Sequence, residues 1–415
     1  MIAVSTKTPP SIIKSAWIPS LIALAVLIRI FALVLAWGTA PYGDPSNYLK
    51  LAQNLLAGEG LALPRLGGTV PMPTAMYPPV LPLLLAGVGL VAPLNALTLC
   101  IVNTVVDCVA ALLLVRLAHL LGAPRAAVPA ALAYLLWPSI AFMSPLAYKE
   151  GLIVALLLGV IVALLEQAKR PGLRWAALSG TCGGVLLLTQ PGLLTLLPIL
   201  FLVLARQFVN WRRWWVVSLT AATAALVVMM PWWIRNFLLF GQFVPLTSSG
   251  GLALWVGASP GGGVIWQAPL ESWRAAGEME AAGLAAAEAW RIIFADPLGY
   301  LLRCLIKFPR SFFYSNWAID QLILAKGQRW HWLIEFNLLR YGPTLIELWA
   351  VVMASIGLYR LRGQPIAWLL WACIAQVMLF GIWFEFSERH RLFMTPFLLL
   401  VAAQLMVGSQ NRSVR

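Results

Sequence analysis

Charged side chains near the ends of apolar segments are the groups in this sequence that could carry out chemistry. Asp44, in the segment GDPSNYLKLAQNL, offers a carboxylate that could act as a general base or could cap a helix beginning near Pro45. Lys149 and Glu150 adjoin in SPLAYKEGL, where they could contact a substrate or only mark the start of a helix.

A second set of candidates is cationic and would suit a phosphate group. Residues 385–391, EFSERHR, contain Arg389, His390 and Arg391, and arginine offers a planar fork that matches phosphate oxygens. A solvated loop of the same composition is the alternative interpretation. Arg235 adds a cation at the end of another apolar segment. Asp44 is the best general base, and the candidate cations are Arg389, Arg391, Lys149 and Arg235.

The elements that must position these residues are predicted to be membrane-spanning helices. Of 415 residues, 61% are hydrophobic and 11% are charged, against about 25% charged in a typical soluble protein. The mean hydropathy is +0.84. The net charge of +14 does not indicate nucleic-acid binding, because the basic residues are not clustered. We therefore predict an all-α polytopic membrane protein, a single integral membrane domain over residues 1–415 with no separate C-terminal soluble domain.

Ten apolar stretches are predicted to cross the membrane, some at the short end of the roughly 17–25 residues that a span needs. They cover residues 16–38, 95–116, 125–142, 150–166, 173–190, 191–206, 214–234, 341–359, 366–384 and 392–408. Cytoplasmic N- and C-termini place fourteen of the 29 basic residues, but only one of the 15 acidic residues, on the cytoplasmic side. The positive-inside rule favours this orientation.

Two segments are then predicted on the outer face, residues 39–94 and residues 235–340. Within the first, the apolar stretch 77–92 is short for a membrane span and rich in proline, so we predict an interfacial or re-entrant helix there. A crossing there would invert every later loop. Within the second, we predict an amphipathic helix around residues 272–295, ended by Asp296 and Pro297.

Two charged residues lie inside predicted spans, where charges are costly and usually paired or functional. Arg29 and Asp107 lie at depths of about 20 and 13 Å from the cytoplasmic ends of their helices. A long arginine side chain can bridge that difference, so we predict a structural ion pair.

Cofactor chemistry has little support in the sequence. The five cysteines form no CxxC pair and no framework spacing, which predicts no disulfide and no thiolate metal site. Two acidic segments could meet on the outer face, so a divalent cation stays open as an alternative, but no ligand spacing demands one.

Five segments, in their order along the chain, resemble the GT-C superfamily of membrane glycosyltransferases, in the bacterial branch similar to protein O-mannosyltransferases and the lipid A aminoarabinose transferase. They are GDPSNYLKLAQNL, TAMYPPVLPLLLA, SPLAYKEGL, PWWIRNFLLFGQFVPLTSSGGLALWVGASP and ERHRLFMTPFLLLVAA. The resemblance runs from about Arg29 to Ala403. The sequence departs from the family at Tyr77, Gln190 and His390, where many relatives have a basic residue, an arginine and an aromatic residue.

The resemblance implies about 10 transmembrane helices, outer juxtamembrane helices and an inverting glycosyltransferase of the bacterial inner membrane. Such an enzyme moves a sugar from a polyprenyl-phosphate carrier to a glycan, lipid or protein acceptor on the outer face. It implies Asp44 as the catalytic residue and Glu150, Tyr48 and Tyr77 as substrate contacts. The implied donor phosphate-binding residues are Arg389, Arg391, His390, Lys149 and Arg235.

Two other classes of protein stay open at this stage. A lipid or solute transporter would need polar groups near the middle of the membrane, where only Arg29 and Asp107 are predicted. A non-catalytic lipid-binding or assembly protein of the same fold would account for the departures as lost activity.

Overall fold

The computed structural model describes residues 17–64, 69–170, 172–208, 210–261, 273, 276–313, 317–325 and 337–408. Within these ranges the chain is almost entirely helical, so the predicted all-α class is confirmed. The chain termini, for which the sequence predicts a cytoplasmic position, lie outside the described residues.

The helices are numbered in chain order. They are α1 (Trp17–Ala36), α2 (Asp44–Leu56), α3 (Val80–Gly89), α4 (Ala96–Leu120), α5 (Pro124–Leu135), α6 (Pro138–Met143), α7 (Glu150–Lys169), α8 (Arg174–Leu187), α9 (Leu196–Leu204), α10 (Trp211–Phe240), α11 (Gly250–Ala258), α12 (Glu278–Ala295), α13 (Pro297–Arg310), α14 (Trp317–Ala325), α15 (Asn337–Arg360), α16 (Pro365–Leu379), α17 (Glu388–Arg391) and α18 (Thr395–Gly408). A short antiparallel hairpin, β1 (Ala62–Pro64) and β2 (Pro71–Pro73), pairs Leu63 with Met72.

Helices occupy all ten stretches that the sequence predicts as spans. Among the described residues, seven helical segments are long and apolar enough to cross a membrane. They are Ile18–Ala36, Ala96–Leu120, Glu150–Lys169, Trp211–Phe240, Tyr341–Arg360, Pro365–Trp383 and Glu388–Gly408. The other three predicted spans are shorter: 125–142 breaks before Pro138 into α5 and α6, 173–190 contains α8, and 191–206 contains α9 between two 3-10 turns.

Helix α7 lies at the centre of the bundle, with fourteen of its twenty residues buried. A helix that is apolar on every side can face either lipid or other helices, and the burial of α7 shows that other helices surround it. Helices α4 and α8 both pack against α7. Beyond them, α10 packs against α8, while α5, α18 and α15 follow α4 in succession. Helix α16 packs against both α18 and α9.

One end of this bundle is rich in basic residues, and we call it the basic end. It comprises the connections around residues 116–125, 166–174, 205–213 and 360–365. Here the buried Glu166 accepts hydrogen bonds from Arg116 and pairs with Arg170 at 3.0 Å. Arg213 donates to the backbone oxygen of Gln167 at 3.0 Å. These contacts hold the helix ends together where the sequence predicts the cytoplasmic side.

The predicted ion pair inside the bundle is confirmed. Arg29 Nη2 lies 2.9 Å from Asp107 Oδ2, and the two side chains are 6% and 3% exposed. Arg29 also donates to the backbone oxygen of Leu135 at 2.8 Å, and the Tyr134 hydroxyl donates to Asp107 Oδ1 at 3.4 Å. The pair therefore joins α1, α4 and α5.

The segments predicted on the outer face contain short helices. Helix α3 has ten residues, about 15 Å of helix against a hydrocarbon core of roughly 30 Å, so it is too short to cross. The predicted amphipathic helix is α12, which ends as predicted at Asp296. It begins at Glu278, after Gly277, and not near the predicted residue 272, which lies outside the described residues. Asp296 then accepts a hydrogen bond from the Gly299 amide and starts α13.

Candidate active site

Asp44 is placed by a sharp turn between α1 and α2. Gly43 adopts a left-handed backbone conformation, with φ of +67°, and Asp44 is the first residue of α2. A residue with a side chain would be strained at position 43. The capping alternative for Asp44 is wrong, since no side-chain cap bond forms at this helix start. Instead, Asp44 Oδ1 accepts a hydrogen bond from the Tyr77 hydroxyl at 3.3 Å.

Lys149 and Glu150 lie at the start of α7, which begins part-way down the bundle. The segment before α7 runs along α4, where Asn103 Nδ2 donates to the backbone oxygens of Ser144 and Leu146, both at 2.9 Å. Gly151 then lies beside Asp107, so close that a Cβ there would be 2.6 Å from Asp107 Oδ1. Asp107 is eleven residues into α4, about 16 Å along the helix. The start of α7 is therefore recessed below the end of the bundle.

Arg389 reaches the same place from α17. Its Nη1 donates to Asp44 Oδ2, and its Nη2 lies 3.7 Å from Glu385 Oε1. The guanidinium carbon also lies 6.0 Å from the ring centre of Tyr148 and 5.8 Å from that of Trp317, within range of cation–π attraction. Arg389 is thus held between two carboxylates and two aromatic rings.

The neighbouring His390 has a fixed orientation because its ring completes a capping box. The Ser387 amide donates to His390 Nδ1 at 3.1 Å. With Nδ1 acting as an acceptor, the proton of a neutral ring must sit on Nε2. His390 therefore offers one N–H donor.

The turn that leads into α17 is held by the buried Lys307 of α13. Its Nζ donates to the backbone oxygens of Gly257, Ile382 and Phe384 at 2.8, 3.0 and 3.1 Å. Gly257 packs directly on Phe384, where a Cβ would be 2.6 Å from the carbonyl carbon. Helices α11 and α13 therefore fix the backbone from which Arg389 extends.

These elements enclose a small pocket with a volume of about 50 Å³, which we call the outer pocket after the predicted position of its residues. Its lining residues are Asp44, Lys149, Glu150, Ile153, Gln190, Arg389, His390 and Phe393. Five predicted site residues from three distant segments thus meet in one place. Gln190, which the sequence shows only as a departure from the family pattern, lies here as well.

Electrostatics in the outer pocket favour a charged base and a weakly basic lysine. Burial alone would raise the pKa of Asp44, but the charges of Arg389 and Lys149 and the hydrogen bond from Tyr77 hold that pKa below its usual value. Burial lowers the pKa of Lys149 to about 8 against the opposing effect of nearby carboxylates. Burial raises the pKa of the Glu385 carboxyl. Asp44 is therefore ionised at neutral pH and bound to a cation.

Glu150 lines the pocket, whereas the two predicted tyrosines, Tyr48 and Tyr77, lie beside it and are not among its lining residues. Glu150 is 5% exposed, and its Oε2 has no hydrogen-bond partner among the described residues. Tyr48 and Tyr77 pack edge to face with ring centres 5.2 Å apart, and Lys149 Nζ lies 5.9 Å from the Tyr48 ring. Asn47 donates to the Tyr77 hydroxyl at 2.7 Å. Glu150 is thus a buried acceptor available to a ligand.

Two predicted phosphate ligands lie elsewhere. Arg391 is 2% exposed, pairs with Glu347 and donates to Ser311, with its guanidinium over the Phe312 ring. Arg235 donates to the backbone oxygens of Thr74 and Leu61, both at 3.0 Å, and so ties α10 to the β-hairpin. Neither residue lines the outer pocket.

Lys307 is not among the candidate residues from the sequence, and its contribution is to hold the backbone that leads into α17. A signal was present, because the buried side chains of α13, Tyr300, Cys304 and Lys307, follow helical spacing. That spacing indicates a lysine on the packed face of the helix, where it must find hydrogen-bond acceptors.

The donor set of the outer pocket does not fit a divalent cation. Among the described residues, no three His, Cys, Asp or Glu side chains come close enough to hold a metal ion. Asp44, which would have to be a ligand, is already bound by Arg389, and Lys149 adds a second positive charge.

The fold resembles that of solved membrane glycosyltransferases. No protein-family model and no curated protein sequence matches the chain. The apo oligosaccharyltransferase of Archaeoglobus fulgidus superposes with a TM-score of 0.56, 16% identity, and coverage of 96% of this chain and 51% of that one. For its complex with Zn and sulfate, the TM-score is 0.57 and the identity is 15%, with coverage of 95% of this chain and 49% of that one. For ArnT from Cupriavidus metallidurans bound to undecaprenyl phosphate, the TM-score is 0.44 and the identity is 13%, with coverage of 95% of this chain and 78% of that one.

The likeness to the archaeal enzyme extends along nearly all of this chain, although the chain spans only about half the length of that enzyme. At such low sequence identity, this likeness shows a shared fold but does not show a shared activity. The chain therefore shares the fold of this archaeal enzyme, in keeping with the fold that the sequence resemblance predicts.

Proposed function

We propose that this protein is an inverting glycosyltransferase that moves a sugar from a polyprenyl-phosphate carrier to an acceptor hydroxyl. The observation that carries the proposal is the meeting of Asp44, Lys149 and Arg389 in one recessed pocket. Displacement of a phosphate by a hydroxyl needs a base for the hydroxyl proton and cations for the developing negative charge. The outer pocket contains both.

In the proposed reaction, the acceptor oxygen attacks the anomeric carbon from the side opposite the carrier phosphate. The new carbon–oxygen bond forms as the bond to the phosphate oxygen breaks, so the configuration inverts. Asp44 takes the proton of the hydroxyl. Arg389 and Lys149 stabilise the charge of the departing phosphate, and His390 donates its Nε2–H to a phosphate oxygen.

The ion pair between Asp44 and Arg389 gives this reaction an order. While the pair is closed, the base is neutralised and the cation is occupied. A donor phosphate would draw Arg389 away and leave Asp44 free to accept a proton. Proton removal from the acceptor would then follow donor binding.

The remaining wall of the pocket would hold the sugar. Glu150 has a buried carboxylate oxygen that can accept a hydrogen bond from a sugar hydroxyl. Tyr77 lies beside the pocket with its hydroxyl on Asp44, and the buried Tyr48 packs behind Tyr77. The acceptor, whether a glycan, a lipid or a protein, would approach from the open end of the recess.

The direct test uses purified protein in liposomes with radiolabelled polyprenyl-phosphate sugars and a mixture of candidate acceptors. We expect labelled sugar to appear on an acceptor and an equal amount of free polyprenyl phosphate to form. Movement of the donor across the bilayer without transfer would instead identify a transporter. Binding without either outcome would identify a non-catalytic protein of this fold.

We further propose that the protein lies in the bacterial inner membrane, with its basic end in the cytoplasm and the outer pocket on the opposite face. The support is the concentration of arginine and lysine at the basic end. In a background without native cysteines, Glu59→Cys should react with an impermeant thiol reagent in intact cells, and Arg174→Cys should not. The reverse pattern would contradict this orientation.

A further inference from the structure

A second cavity lies between α7, α8, α9 and α10, away from the outer pocket. It has a volume of about 390 Å³ and is walled on two sides by small residues, among them Gly183 of α8 and Ala222 of α10. Two leucines on its rim, Leu194 and Leu202, are 47% and 59% exposed, so the cavity opens on the surface of the bundle. In a membrane, an exposed apolar surface of this kind would face lipid.

The cavity follows from how these helices pack. Gly180 packs directly on the backbone oxygen of Ala221, which draws α8 and α10 into close contact. Helix α9 has only nine residues, and near its lower end the Trp214 indole donates to the backbone oxygen of Phe201 at 3.0 Å. From this bond toward the end of the bundle opposite the basic end, α9 and α10 separate, and the space between them is lined by apolar atoms.

The polar groups in this cavity do not suit water. The Ser179 hydroxyl donates to the backbone oxygen of Val160 at 3.1 Å, and the Ser218 hydroxyl has no partner among the described residues. A water molecule needs two to four polar partners to be held in a cavity, and apolar cavities stay dry. An apolar chain is the occupant that fits these walls.

The depth of the cavity matches one leaflet of a bilayer. Its lining on α10 extends from Trp214 to Ala225, eleven residues or about 16 Å. Half of the hydrocarbon core is about 15 Å. The cavity begins less than one turn above Arg212, at the basic end, and reaches the middle of the bundle. A chain anchored at the outer pocket would have to cross the midplane to fill it.

A charged residue and two aromatic residues near the basic end of the cavity complement an anionic headgroup. Arg206 follows the rim residue Leu202 by four positions and is exposed, with its guanidinium carbon 5.1 Å from the ring centre of Trp368. Trp211 and Trp215, 58% and 47% exposed, adjoin Trp214 of the cavity lining as interfacial tryptophans do. An arginine near the membrane surface attracts anionic lipid.

We infer that this cavity binds one acyl chain of an anionic phospholipid from the leaflet at the basic end, with the headgroup at Arg206. The lipid would fill the gap that α9 leaves beside α8 and α10. This inference does not depend on the proposed transferase activity, because the cavity shares no residue with the outer pocket.

The test is lipid retention by the purified full chain, measured by native mass spectrometry during titration with phosphatidylglycerol or phosphatidylcholine. We expect one phosphatidylglycerol to bind more tightly than phosphatidylcholine. Ala222→Phe, which fills the cavity, should weaken that binding at least about tenfold. Thr223→Phe is the matched control, because Thr223 is the next residue of α10, is exposed and lies outside the cavity. Arg206→Gln should weaken phosphatidylglycerol binding about fivefold and leave phosphatidylcholine unchanged. Arg212→Gln is its control, because Arg212 lies about 200° around α10 from the lining residue Trp214.

A second filling variant guards against misfolding. Gly183→Leu is suitable because a Cβ there would meet its nearest neighbours at 3.4 and 4.0 Å. If both filled variants retain phosphatidylglycerol as the wild type does, the inference is wrong. It is also wrong if filling the cavity weakens binding of a polyprenyl phosphate and leaves phosphatidylglycerol unaffected, since the cavity would then belong to the carrier tail.

Discussion

Replacing Asp44 by asparagine should abolish sugar transfer and, at the same time, tighten binding of the donor phosphate. In the ligand-free pocket Arg389 Nη1 donates to Asp44 Oδ2, so a phosphate must displace this carboxylate before it can bind the guanidinium. Asparagine keeps the shape of the side chain but not its charge. Displacement therefore becomes easier while proton abstraction is lost.

The magnitude follows from the geometry of the pair. Hydrogen bonds to charged groups contribute about 1.5–3 kcal/mol, and the lower figure applies because the Asp44 side chain is 31% exposed to solvent. About 1.5 kcal/mol corresponds to a roughly tenfold lower Kd. Glu385→Gln is a graded comparison, because Glu385 lies 3.7 Å from Arg389 and should shift affinity by no more than about twofold.

The assay is calorimetric titration of a short-chain polyprenyl phosphate into purified protein, with transfer measured separately on the same preparation. Arg389→Ala should weaken binding about 10- to 100-fold. The double variant Asp44→Asn/Arg389→Ala should bind no better than Arg389→Ala, because the gain depends on a released arginine. The reasoning is refuted if Asp44→Asn binds no more tightly than the wild type, or if the double variant keeps the gain.

Three further predictions concern other residues. Donor affinity should fall as pH rises through about 8, since the lowered pKa of Lys149 leaves its ammonium charged only below that pH, and Lys149→Arg should flatten this dependence in the same titration. Arg391→Ala should lower the Tm by removing a buried ion pair with Glu347, a loss of about 3–5 kcal/mol, yet leave the donor Kd of the folded protein unchanged; a weaker Kd with an unchanged Tm would contradict this placement. Arg29→Met or Asp107→Leu alone should reduce folded yield more than the two together, because a single change leaves one buried charge, whereas additive losses would argue against the pair.

Several features of this protein could be predicted from the sequence because they depend on its overall composition or on the fixed geometry of a helix. The prediction of a membrane protein follows from its charged residues, which are too few to cover the surface of a soluble protein. The pairing of Arg29 with Asp107 follows from the constant rise of a helix, which sets the depth of each residue. The grouping of Asp44, Lys149 and Arg389 is implied by the family resemblance, and the structure brings these three residues to one pocket.

Other features were decided only by the tertiary structure. Gln190 enters the outer pocket, and Lys307 fixes the backbone before α17, through contacts between segments far apart in the chain. Arg389 and Arg391 are equivalent candidates in the sequence, but one pairs with Asp44 in the pocket and the other is buried against Glu347. The physical reason is the rotation of the helix. Arg389 and Arg391 are two positions apart in α17, so their side chains point in directions that differ by roughly 200° around the axis. Which of the two directions faces the pocket depends on how Lys307 and the Ser387 cap hold the preceding turn, and no local pattern encodes that.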